Sequence, residues 1–436
     1  MSEKVIVIGG GLAGCEACWQ LSERKIETQL WEMKPIKKSA AHQTNELAEI
    51  VCSNSFKSND ITNACGLLKQ ELRIFNSLLI KEADNNSVEA GAALAVDRER
   101  FSQAVENRIK SSKYITIKNV VANTIPEGNV IIATGPLTDE SLIESIANLT
   151  GGKFLHFFDA ASPIVTKDSI DFDSAFYASR YDKGSADYIN CPMTRREYEI
   201  FYEALISAER AEVKDFEDAS VFEGCMPVEV MASRGVDTLR FGPLKPVGLT
   251  DKRNGIRNYA VLQLRKENLA QDSYNLVGFQ THLTFKEQKR VFGLIPALKN
   301  AEYVRYGVMH KNTYINSPGI LTENYRLKNA TGNIYFAGQL TGVEGYVESI
   351  SSGMVAALDM YRHLVGKESL SFSAKTMTGA IGNYIANAST KDFQPMNSNF
   401  AIIEPLCKEI KDKQLKKQEY ANRAIAEMNR LLIEYT

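Results

Sequence analysis

The chain reads as an α/β protein whose parallel sheet draws on two distant stretches of sequence, with a second α/β domain inserted between them. Three observations predict this. Residues 5–8 (Val-Ile-Val-Ile) make a strand too apolar on both faces for a sheet surface, and a helical pattern opens at once across Gly9, Gly11 and Gly14. A second buried strand with a glycine-rich crossing lies far away, at residues 333–353. From about residue 186 the rhythm between them changes to alternating strands and Gly/Pro-rich turns. The expected division is 1–185 and 301–436 for the discontinuous domain and 186–300 for the insertion; 436 residues exceed the usual size of one domain.

The opening turn carries chemistry. In the run Gly9, Gly10, Gly11, Leu12, Ala13, Gly14 the spacing is G-x-G-x-x-G. Gly9 allows the tight turn, Gly11 leaves the backbone bare for a pyrophosphate, and Gly14 lets the helix pack closely on the sheet. The helix N-terminus adds free N–H groups and a partial positive charge. A second strand pattern at 27–31 ends in Glu32, eighteen residues after Gly14. A carboxylate there suits the two hydroxyls of an adenosine ribose and repels a 2′-phosphate. Strand, glycines, helix, strand and acid, in that order, indicate an adenine dinucleotide.

Further along, residues 41–66 break the α/β rhythm, and the tract 53–59 is polar, as a site-forming loop would be. Helical patterns follow at 66–83 and 98–110, the second with Asp97 as N-cap. Residues 129–136 form a buried strand ending at Gly135 and Pro136. In the middle of the chain a helical pattern at 194–207 precedes alternating strands at 259–265 and 274–281. The late strand ends at Gly338; Gln339, Gly342, Gly345 and Tyr346 then lead into a helix rich in small residues. Two such turns fit one extended FAD held at both ends, so the first domain is expected to be a Rossmann-like FAD-binding domain of the glutathione-reductase type. Residues 372–400 read as irregular and polar, and 407–433 as a helix with a basic end at Lys408, Lys411, Lys413, Lys416 and Lys417.

Composition narrows the class. Hydrophobic residues at 44% and charged residues at 24% describe an ordinary globule, and no run of about 18 apolar residues exists, so neither a membrane span nor a signal peptide is expected and the location is read as cytoplasmic. Seven cysteines, an odd number with no C-x-x-C pair beyond Cys15 and Cys18, do not suggest a disulfide framework, and the five histidines make no ligand spacing with them, so no metal is expected. Cys15 and Cys18 fit helix packing. A net charge of -2 argues weakly against a protein wrapped in nucleic acid but leaves room for a local basic face.

Two cysteines sit where packing does not explain them. Cys52 opens the polar loop, and Cys225 lies in Glu-Gly-Cys-Met-Pro, between a flexible Gly224 and a stiffening Pro227. The chemistry open to them is nucleophilic addition or acid/base work beside a flavin. Spacing does not show that they meet.

The glycine turn with Trp31-Glu-Met-Lys-Pro35, Leu47-Ala-Glu-Ile-Val-Cys-Ser-Asn-Ser55, Gly91-Ala-Ala-Leu-Ala-Val-Asp-Arg98, Phe222-Glu-Gly-Cys-Met-Pro227, Arg305-Tyr-Gly-Val-Met-His310 and the stretch 335–346 resembles the TrmFO (Gid) family from residue 3 to about 430. These are folate- and FAD-dependent tRNA (uracil-5-)methyltransferases. The resemblance implies 5-methyluridine formation at the T-loop uridine (position 54) of tRNA; a paralogue acting on 23S ribosomal RNA is the alternative. It implies 5,10-methylenetetrahydrofolate as one-carbon donor, FAD, and NADH or NADPH as reductant, approaching the open face of the flavin. Cys225 would add to C6 of uracil and Cys52 would take the C5 proton, or the two would exchange roles. The target base must be turned out of its stack, with Arg234, Arg240, Lys245, Arg253, Arg257, Arg265 and the basic tail as candidates for phosphate contacts. Outside this class, the chain would be an FAD-dependent NAD(P)H oxidoreductase acting on a small molecule.

Overall fold

The computed structural model describes residues 4–151, 154–182, 186–211, 226–253, 255–391 and 393–435, without the side chains of 157–159 and 310. Its first sheet has five parallel strands in the order Asn333–Phe336, Asn129–Ile132, Val5–Ile8, Thr28–Glu32, Ile115–Asn119. The apolar run that opens the chain is the central strand, with Val5 and Val7 fully buried, as a strand covered on both faces requires. The strand from the far end of the chain closes one edge, so both sequence segments build one sheet. Helices Leu12–Glu23 and Tyr346–Leu364 pack together beside it. A Cβ on Gly353 would stand 2.9 Å from the Ala13 carbonyl carbon, so the helices could not come this close with a larger residue there.

The second sheet is antiparallel, with six strands in the order Phe176–Ala178, Tyr188–Met193, Ala260–Lys266, Ser273–Leu276, Ile164–Thr166, Tyr303–Arg305. It has its own buried cluster, running from Val165 to Ala301. Phe154–Ala160 and Met309–Ile315 pair antiparallel, so the chain leaves the first body and returns to it side by side. The sheets therefore part elsewhere than at the expected borders of 186 and 300. Short strands at 164–166 and 176–178 carry too few residues to show a period, yet both belong to the second sheet.

Four other expectations differ in detail. The helix expected at 407–433 is Lys413–Tyr435, so Lys408 and Lys411 precede it. The helical stretch 66–83 is two helices, Ala64–Ile74 and Leu78–Asn85, because Asn76 takes a left-handed turn (φ 54°) and Ser77 caps the second by accepting from the Ile80 amide. The strand expected at 274–281 stops at Leu276, where a turn at Gly278 fits under Pro243. The stretch 372–400 contains a helix, Met377–Asn387, whose first amides donate to the buried carboxylate of Glu71 at 2.7 and 2.8 Å. Asp97 does cap Arg98–Ser111, accepting from the Arg100 amide. Among the described residues, no helix is long and apolar enough to cross a membrane.

Candidate active site

The glycine turn is held at both ends. The Gly9 amide donates to the Trp31 carbonyl at 2.8 Å, and Gly9 has φ +104°, which a side chain would strain. A Cβ on Gly14 would overlap the Gly9 carbonyl, so this glycine seats the helix against the turn. Gly11 is different: its φ of -76° suits any residue, and a Cβ there would meet nothing within 4 Å. Its missing side chain leaves space over the cleft. No side chain caps Leu12–Glu23, so the first amides remain for a ligand. Glu32 is buried against this turn, one oxygen accepting from the Gly10 amide at 2.7 Å and the other from the Lys34 amide at 2.9 Å. These features fit a dinucleotide's phosphates at Gly11 and an adenosine ribose near Glu32.

From the turn a cleft runs past Val120, Val121 and Gly135 to Gly338, Gln339 and Tyr346. Val51, Pro136, Leu137, Gln339 and Tyr346 also line an adjoining cavity, whose further walls include Cys52, Ala161, Gln280 and Gly345. One passage thus joins the dinucleotide turn to the Cys52 thiol. Gly345, at φ +118°, is the uncapped N-terminus of Tyr346–Leu364 and forms part of its wall. Beneath it, buried Glu348 accepts from the amide and hydroxyl of Ser398, while its second oxygen has no partner among the described residues. Two of the expected cofactor glycines are not in these walls. Gly14 serves helix packing, and the Cβ position of Gly342 is filled by the Phe393 ring at 2.5 Å.

The loop that presents Cys52 is fixed by its backbone. Its amide donates to the Tyr346 hydroxyl at 2.9 Å, and its carbonyl accepts from Arg98 at 2.7 Å. Arg98 also donates to the Ile50 carbonyl and pairs with Glu267, both at 2.6 Å. The neighbouring Asn54 donates to the Val96 and Lys266 carbonyls, at 3.0 and 2.9 Å, and accepts from Arg265 at 3.0 Å. Glu267 and Arg265 belong to the second body, so the thiol loop is tied to both. Burial pushes the Arg265 and Arg305 guanidinium groups down; for Arg98 the pull of Glu267 outweighs burial and the net shift is upward.

Arg265 was expected as a phosphate contact; it is buried and committed to Asn54 and Ser53. Arg240 lies over the Tyr259 ring, 3.6 Å from its centroid, and Arg253 pairs with Asp251. Cys225 lies outside the described residues. The chain after it is anchored at the cavity wall: Val228 donates to the carbonyl of Gln280, and Glu229 accepts from Thr281 and the His282 amide. Sequence reasoning missed Arg98 and Asn54. Arg98 stands directly after the Asp97 cap, in a helix-start pattern that gave no reason to look for a distant partner. Among the described residues no three His, Cys, Asp or Glu side chains gather as a metal would require.

Parallel sheet, glycine turn, ribose-side acid and a passage ending at a thiol define a protein with an α/β, FAD-binding fold. Residues 4–368 match the model of the family described as glucose inhibited division protein A. Proteins named methylenetetrahydrofolate–tRNA-(uracil-5-)-methyltransferase TrmFO are similar over the whole length: that of Acetivibrio thermocellus is 54% identical over 437 residues and that of Listeria monocytogenes 52% over 434, each covering 100% of both chains. Aquifex aeolicus GidA, in its form I crystal, shares the fold with a TM-score of 0.68 at 14% identity, over 99% of this chain and 76% of that one. The chain belongs to the glucose inhibited division protein A family, and within it to the TrmFO members.

Proposed function

We propose that the protein makes 5-methyluridine in RNA, at the T-loop uridine of tRNA, taking the carbon from 5,10-methylenetetrahydrofolate and reducing equivalents from NADH or NADPH. The observation that carries this reading is the single passage from the Gly11 turn to Cys52. FAD, when bound, would supply reducing chemistry and carry the one-carbon unit. Gly9, Gly10, Gly11, Leu12, Ala13 and Glu32 would hold its adenosine diphosphate end, and Gly135, Gly338, Gln339, Gly345 and Tyr346 its flavin end. Gly14 and Gly342 would support these turns from behind. We read the first domain as the glutathione-reductase type of Rossmann-like domain and the site of action as the cytoplasm; the inserted domain, expected at 186–300, is proposed to take in the strands at 164–166, 176–178 and 303–305 that join the second sheet.

Uracil C5 is a poor nucleophile until a thiolate adds to C6. Cys225 is assigned that addition. Cys52, a residue of the cavity wall whose loop backbone is held by Arg98 and Tyr346, is assigned removal of the C5 proton. RNA carrying 5-fluorouridine at the target position cannot lose its C5 substituent as a proton, so the reaction stalls with RNA and protein joined. Cys225→Ala should give no covalent band, and Cys52→Ala should keep one while losing turnover. The reverse pattern would exchange the two roles. Absence of a band from the parent with tRNA and with a ribosomal fragment would defeat the reading, and a band with the ribosomal fragment alone would move the substrate.

A further inference from the structure

We infer that Phe285, with Tyr306 and Tyr303 stacked behind it, is the platform on which a nucleobase next to the target uridine stacks; the inference rests on the RNA-methylating reading above. The three rings form one pile. Phe285 and Tyr306 lie 4.6 Å apart at 17°, and Tyr306 and Tyr303 lie 4.8 Å apart at 10°. The pile is locked from inside by Gln288, which is fully buried. Its amide nitrogen donates to the Leu283 and Gly307 carbonyls, its oxygen accepts from the Gly307 amide, all at 2.8 Å, and its own carbonyl accepts from the Tyr303 hydroxyl. The outermost ring is nevertheless 54% exposed.

Its position connects it to the chemistry. Gly307, next to Tyr306, packs against Ala161, whose amide donates to the Val308 carbonyl at 2.8 Å. Ala161 and Gln280 are walls of the cavity that holds Cys52. The pile therefore stands beside that cavity. The exposed ammonium groups of Lys286 and Lys289 lie on the same helix, Phe285–Phe292, and match a phosphate backbone; Arg290 is already paired with Glu287. Turning a uridine out leaves its neighbour with an uncovered face, and base–aromatic stacking on a rigid ring replaces the lost contact for any base. An open ring flanked by cations suits a segment of an RNA strand better than an enclosed small molecule.

Phe285→Ala should weaken binding of a T-loop RNA, followed by fluorescence anisotropy, by about 5- to 150-fold. The KM for RNA should rise while the KM for folate and the rate of flavin reduction by NADPH stay at the parent values. Phe285→Trp should restore binding, which a merely structural loss would not allow. Parent-like binding by Phe285→Ala, or a change confined to the folate KM, would overturn the platform. A parent protein that methylates no RNA would defeat the functional reading itself, whereas methylation by the parent with an unaltered Phe285→Ala defeats only the platform.

Discussion

Gly11 and Gly14 stand three residues apart in one motif, yet alanine should affect them in opposite ways. At Gly14 the new Cβ would overlap the Gly9 carbonyl oxygen and stand 3.1 Å from its carbon. Backbone cannot rotate aside as a side chain would, so the helix must shift from the sheet. Overpacking of this kind costs ~1–3 kcal/mol or more, only partly offset by the better helix propensity of alanine, at most ~1 kcal/mol. At Gly11 the backbone already suits alanine and the Cβ enters open space, so stability should stay within about 0.5 kcal/mol of the parent. That methyl would stand where the pyrophosphate must approach, and FAD affinity should fall roughly tenfold to a hundredfold. Urea unfolding of the flavin-free proteins reads stability, and titration with FAD followed by visible absorbance reads affinity. Gly11→Ala with parent affinity would show that the phosphates lie elsewhere; Gly11→Ala as unstable as Gly14→Ala would refute the distinction between the two glycines.

Arg98→Met removes a part-buried cation that holds the buried Glu267 carboxylate and two carbonyls of the Cys52 loop; with Glu267 left buried and unpaired, urea unfolding should show a loss of ~3–5 kcal/mol, and a loss below ~1 kcal/mol would contradict this anchoring. Burial pushes the carboxyl of Glu71 up to about 7. The folded chain then keeps a proton that the unfolded chain has already released above about 4.5. Stability contributed by the neutral form is accordingly lost as pH rises through about 7, by on the order of 3 kcal/mol. Unfolding at a series of pH values should show a fall in stability between about 4.5 and about 7 that is shallower in Glu71→Gln than in the parent, the remainder coming from buried Glu16, whose carboxyl burial likewise pushes up to about 7; equal slopes would refute it.

The site was legible where local sequence dictates local geometry. The glycine turn, the acid closing the second strand and the Gly338 crossing each need particular residues in a fixed order, and the structure brings them to one cleft. What was not legible depends on partners far apart in the chain. Arg265 looks like any surface cation until Asn54 stands opposite it, 211 residues away. The helix Met377–Asn387 sits in a polar stretch and owes its start to Glu71, 306 residues away. Gly342 resembles a cofactor glycine in sequence, but the ring that fills its missing side chain belongs to Phe393. The thiol loop itself was visible from its polarity; the arginine that holds it was not.

The source of the methyl carbon tests the central claim most directly. The protein, loaded with FAD, is given T-loop RNA, NADPH and methylenetetrahydrofolate labelled at the methylene carbon, with S-adenosylmethionine omitted. Mass spectrometry of the digested RNA should find the label in the C5 methyl of one uridine. Methylation that requires S-adenosylmethionine, or a product methyl without the folate label, would contradict the account.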